Sequence, residues 1–131
     1  MSQITTWDEF QAREYVPNVF LQAVSGEKVM LTRITYKGQV TIPAHKHEAE
    51  QIMMMVQGRL WAKVGDEEQE VGPGKLLIVN SNVIHSFRKL SEEDVIFQES
   101  FAPIRLEYLP GYKGPDPALT MIKQGLPGKD E

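Results

Sequence analysis

Cysteine is absent from this 131-residue chain. That excludes disulfides, thiolate metal sites and a thiol nucleophile. No stretch approaches the ~18 consecutive apolar residues of a transmembrane helix. The first ten residues hold Asp8 and Glu9 and no apolar run, so they do not read as a signal peptide. A basic excess is also missing, since the formal charge is −4. A nucleic-acid binder would carry a basic face. These absences lead to the expectation of a cytoplasmic protein without nucleic-acid or membrane partners. Histidine is scarce as well, with three in the whole chain.

What is present is ordinary for one globular domain: 41% hydrophobic and 24% charged residues. Helix signals are few. Thr6 to Arg13 could form one short turn, with Thr6 as N-cap and Glu9 three residues later. From Val19 on, nine short β-rich runs alternate with Gly, Pro and Asn punctuation, the last spanning Val95 to Phe101. So many short, evenly spaced strands predict an all-β sandwich or barrel. Past Leu109 the chain is rich in Pro and Gly. We therefore place the barrel in residues 1–109 and an extended tail in 110–131, with a helical turn near Ala118 to Lys123.

All three histidines fall into one pattern. His45 and His47 stand two apart, Gln51 follows, and His85 comes 34 positions later. In extended chain, residues two apart share a face, so His45 and His47 can grip one ion. Imidazole suits zinc, nickel, iron and copper, and an amide oxygen can add a fourth ligand. Gln51 and His85 would come from neighbouring strands.

Two alternations add detail. If Gln51 faces the metal, Met53 and Met55 share its face, and Ile52, Met54 and Val56 point outward. A strand apolar on both faces calls for cover on both sides. A partner subunit would supply it, giving a homodimer, as would a terminal segment of the same chain. On the last strand, Val95, Phe97, Glu99 and Phe101 share a face. A carboxyl in such a row must be paired, protonated or at work. Arg105 or the metal site would be its partner.

Gly38, His45, His47, Gln51 and Gly58, followed by Gly72-Pro73-Gly74 and Val79 to His85, resemble the two signatures of the cupin superfamily. The resemblance implies an RmlC-like double-stranded β-helix, or jelly roll, holding one divalent metal (Zn, Ni, Mn, Fe or Co) on His45, His47, Gln51 and His85. Most cupins have Glu where this chain has Gln51. An all-neutral ligand set leaves the full cationic charge to attract an anionic ligand, and holds the metal less tightly.

Within the cupins, the chain resembles the pectin-degradation branch, whose members linearise unsaturated uronates. That branch carries His-x-His-x-x-x-Gln and a late Asp-x-Phe-x-x-x-Arg. This chain has Glu99-Ser100-Phe101-Ala102-Pro103-Ile104-Arg105, with Glu in place of Asp. The resemblance implies catalytic roles for three residues on a small anionic sugar-like substrate. Glu99 would move the proton, Arg105 would clamp a carboxylate, and Phe101 would wall the ring. The alternatives are a metal-dependent dioxygenase acting on an enolic or aromatic substrate, a non-catalytic sugar- or anion-binding cupin, and a cupin with a structural metal.

Overall fold

The structure is a computed structural model describing residues 3–126. A 3-10 turn, Trp7–Glu9, precedes ten strands. These are β1 (Arg13–Val16), β2 (Val19–Ser25), β3 (Met30–Tyr36), β4 (Thr41–His45) and β5 (Glu50–Gln57). Then come β6 (Leu60–Val64), β7 (Glu67–Val71), β8 (Leu76–Val79), β9 (His85–Lys89) and β10 (Val95–Ala102). A helix, α1 (Pro117–Gly125), follows.

The strands form two antiparallel sheets, ordered β1-β2-β3-β10-β5-β8 and β4-β9-β6-β7. This is the all-β, two-sheet architecture expected from the strand count, arranged as the jelly roll that the resemblance implied. The nine anticipated strands all form. β1 is an addition, paired in hairpin fashion with β2 through Arg13↔Leu21 and Glu14↔Phe20. Thr6 precedes the 3-10 turn, but its side chain makes no capping bond.

Period-two alternation puts the apolar rows inside. β10 buries Val95, Phe97, Glu99 and Phe101; β3 buries Met30, Thr32, Ile34 and Tyr36; β5 buries Gln51, Met53 and Met55. The sheets meet face to face, with the Phe87 and Phe97 rings 6.4 Å apart across the interface. Each of the three inward rows carries one polar side chain, Glu99 and Thr32 level with each other and Gln51 one inward position further along. Direct pairing sets Glu99 opposite Thr32, and the neighbouring register sets Phe101 opposite Gln51.

The outward row of β5 is exposed, with Ile52, Met54 and Val56 at 47%, 42% and 44%. Cross-strand pairing sets Ile52 beside Ile78 and Met54 beside Leu76, extending the apolar face to β8. No described segment of the chain's own termini covers it.

The tail differs from an extended strap. Asp116 caps α1 by accepting from the Leu119 backbone N–H, and Pro117 opens the helix where its missing N–H costs nothing. Ala118 and Ile122 are buried. A Cβ on Gly125 would lie 2.5 Å from Pro43 Cβ, so α1 rests directly on β4.

Gly58 makes the β5–β6 turn with φ +81°, and a Cβ there would meet Val95 at 2.7 Å and the Asp94 carbonyl at 3.0 Å. Both left-handed backbone and lack of space oppose any side chain. Gly58→Ala is therefore expected to lower the midpoint of urea unfolding. Met53→Ala, at a fully buried position, is expected to cost about 2–5 kcal/mol in the same experiment.

Candidate metal centre

Three imidazoles are gathered at one end of the barrel. His45 closes β4 and His85 opens β9, directly opposite in the ladder. A register shift between Ile42 and His45 re-aims the end of β4. His47 lies past the end of β4, in the connection to β5. The Asn82 backbone N–H pins that connection by donating to the His47 carbonyl at 2.8 Å. The His45 and His85 ring centroids are 4.2 Å apart, and those of His47 and His85 are 4.8 Å apart. One ring nitrogen from each histidine lies within 4.8 Å of the others.

The second ring nitrogens are all engaged. His45 Nδ1 bonds the Pro43 carbonyl at 2.8 Å, His47 Nδ1 the Ala49 carbonyl at 2.9 Å, and His85 Nδ1 the Val83 carbonyl at 2.9 Å. A carbonyl only accepts, so each Nδ1 carries the proton and each Nε2 is a bare donor pair. Burial lowers all three pKa values, His47 to about 4 and His85 to about 3, helped by the nearby Arg105 charge. The rings are thus neutral ligands at physiological pH.

Gln51 does not come from a strand next to His85. It reaches in from β5, in the facing sheet. Its Nε2 donates to Glu99 Oε2, and the Thr32 hydroxyl donates to Glu99 Oε1 at 3.1 Å. An ionised carboxylate accepts only, so it turns the amide nitrogen toward itself and the amide oxygen away. Among the described residues, Gln51 Oε1 is the one buried side-chain polar atom without a hydrogen-bond partner. Such an orphan costs roughly 1–3 kcal/mol unless something occupies the position facing it. Three bare imidazole nitrogens and one orphaned oxygen form a His₃Gln donor set that fits a divalent cation.

Glu99 itself is buried, which pushes its carboxyl up to about 7 against the opposing pull of Arg105, Thr32 and Gln51. Its hydrogen-bond partners are Thr32 and Gln51, not Arg105. Arg105 follows the end of β10 and is 4% exposed. Its Cζ lies 4.0 Å from the Tyr108 ring centroid and 5.2 Å from that of Phe101. Burial works against its charge, but Tyr108, Tyr15 and Glu107 outweigh that and raise its pKa. Its Nε donates to Glu107 at 3.0 Å. The Phe101 ring stands between, 5.8 Å from the His47 ring.

His45, His47, Gln51, His85, Glu99 and Arg105 line one small cavity of about 40 Å³, and Phe101 packs beside it. Thr32, Tyr108 and Glu107 went unnoticed in the sequence. Thr32 shares the inward row of Met30, Ile34 and Tyr36, which was the available signal. Tyr108 and Glu107 lie past the last strand, where periodicity gives none. Tyr36 lines the cavity, whereas Met53 and Met55 are packing residues.

His85→Ala is expected to abolish metal retention, measured by elemental analysis after dialysis. Glu99→Gln removes the acceptor that orients Gln51, and is expected to weaken metal affinity about 10–100-fold. The exchange Gln51→Glu with Glu99→Gln reverses donor and acceptor and should restore tight binding. If Glu99→Gln binds metal like the parent, the orienting role is wrong.

The cupin domain family model matches residues 32–101. No curated protein matches by sequence. Among solved structures, an RmlC-like cupin from Shewanella frigidimarina is 15% identical with TM-score 0.75, over 83% of this chain and 97% of that one. KdgF from Halomonas sp. is 21% identical with TM-score 0.75, over 83% of this chain and 100% of that one. An oxalate decarboxylase variant from Bacillus subtilis is 20% identical with TM-score 0.67, over 76% of this chain and 29% of that one. At these identities the likenesses concern the fold. With a barrel of this topology and a family match across more than half of its length, the chain belongs to the cupin family.

Proposed function

We propose that this cupin linearises unsaturated monouronates, opening the ring and tautomerising the product to a linear keto acid. The observation that carries this reading is one buried cavity on which a cation site, a guanidinium and a carboxyl with a near-neutral pKa converge. The likeness of Glu99-x-Phe101-x-x-x-Arg105 to the pectin-degradation motif supports it from the sequence side.

The substrate class is a cyclic enol ether bearing a carboxylate and a hemiacetal. In the reaction the hemiacetal hydroxyl loses a proton as the ring C–O bond breaks. The ring oxygen departs as an enol, whose adjacent carbon gains a proton as its hydroxyl loses one, leaving a ketone. Atoms balance within the substrate, and nothing is oxidised. A divalent cation on the histidines and Gln51 would supply Lewis acidity toward substrate oxygens.

Arg105 is held charged and flat against Tyr108, with Glu107 fixing its Nε edge. Its two terminal nitrogens have no carboxylate partner among the described residues. They offer a bidentate fork to the substrate carboxylate. Burial raises the pKa of Glu99 above the ordinary carboxylate range, which suits a carboxyl that takes up and returns a proton. Tyr36 and Phe97 bound the cavity with apolar surface and limit water, and Phe101 packs beside it against His47. A cavity of about 40 Å³ around these groups leaves room for little else.

The test is the decay of alkene absorbance of an unsaturated galacturonate, with oxygen uptake followed in parallel. Metal-dependent decay without oxygen consumption is expected, and chelation should abolish it. Oxygen consumption in its place would make the protein a dioxygenase. Arg105→Lys keeps the charge but loses the fork, and is expected to raise KM more than it lowers kcat.

A further inference from the structure

Beside the small cavity lies a larger one, and the two share His47 and Arg105 as a common wall. The inner space measures about 40 Å³ and the outer about 360 Å³. A bound water needs roughly 10–15 Å³ of such space, and small-molecule sites span about 300–1,000 Å³. The inner space therefore admits a reacting end and a few waters, and a whole six-carbon acid needs the outer one.

The outer groove has two kinds of wall. Ile104, Ala118 and Met121 are apolar, whereas Lys46, Glu48 and Asn82 are polar. α1 separates the compartments, since adjacent residues face different ones: Ile122 lines the inner cavity and Met121 the outer groove. The helix is tied down at its start. The Tyr15 hydroxyl donates to Asp116 Oδ2 at 2.8 Å, and the Tyr15 ring packs edge-on against Tyr108 at 5.1 Å. Tyr108 in turn supports Arg105. The roof of the groove and the guanidinium at its inner end thus share one support.

We propose that the groove beneath α1 is the binding site for the hydroxylated carbon chain of a sugar acid whose carboxylate sits on Arg105, with Met121 and Lys46 setting which chains fit. This rests on the uronate reading above and extends it to residues outside the family motif. A polyhydroxylated chain has C–H edges for Met121 and Ile104 and hydroxyls for Lys46 and Asn82. Lys46 makes no ion pair among the described residues and stands beside the path of an incoming anion.

The experiment is calorimetric titration of metal-loaded protein with D-galacturonate, a saturated acid that cannot be turned over. The parent protein is expected to bind it. Met121→Trp fills the groove and should weaken binding by about tenfold or more, a change of about 1.4 kcal/mol, with metal content and melting temperature unchanged. Lys46→Glu, at an exposed position where folding is not at stake, should weaken galacturonate several-fold more than it weakens neutral galactose. Lys123→Ala, on the same helix but outside the groove, should bind as the parent does. Failure of the parent to bind galacturonate, or parent-like binding by both Met121→Trp and Lys46→Glu, overturns the assignment. Binding that responds to these variants without any alkene decay in the turnover assay would retain the groove and discard linearisation.

Discussion

The site depends on Glu99, which in its ionised form accepts hydrogen bonds and donates none. Glu99 sits inside an apolar row of β10, where burial without partners would be prohibitive. Thr32 and Gln51, on the two strands flanking β10, both donate to it. That arrangement satisfies Glu99 and at the same time aims the amide oxygen of Gln51 away from it. One pairing thus stabilises the core and selects the donor atom presented to a cation. The three carbonyl bonds to Nδ1 of the histidines do the same for the imidazoles. With Glu99 ionised, all four donors are oriented by groups that only accept.

The placement of charge follows from this. A cupin with Glu as ligand puts its negative charge on the cation. Here the candidate ligands are neutral, and the negative charge of Glu99 lies one hydrogen bond further out. A bound cation keeps more of its own charge for an anionic ligand, while Glu99 keeps some basicity because it is not coordinated. Arg105 adds a second positive group on the other side of the Phe101 ring. With a cation on the histidines, the cavity would present two positive groups, which suits the acid substrate proposed above.

Most of the barrel was legible in the chain. The nine β-rich runs all became strands; most bury one face that a slip would expose, whereas β7 buries only Val71 and is placed by its pairing with β6. β1 escaped notice because Arg13-Glu14-Tyr15-Val16 is short, half charged and followed by Pro17. Its place comes from pairing with β2. The histidine triad was readable from spacing, although His47 is turned inward by a connection held to Asn82 and not by strand alternation. The partners of Glu99 were not readable. They depend on which strands flank β10 and in what register, and Arg105 looked closer in sequence than Thr32 or Gln51. The outer groove was invisible, since Lys46, Asn82 and Met121 come from three distant segments.

The contact between α1 and β4 reaches further than packing. Gly125 leaves no room for a side chain against Pro43, and the carbonyl of Pro43 is the acceptor that fixes the His45 tautomer. The helix therefore packs on the ring of the proline whose carbonyl orients an imidazole eighty positions earlier in the chain. Position 125 touches no ligand, yet it inherits the geometric tolerance of the metal centre. A side chain at position 125 would push on Pro43 and so reach the candidate ligand His45 as well as the packing of the C-terminal segment.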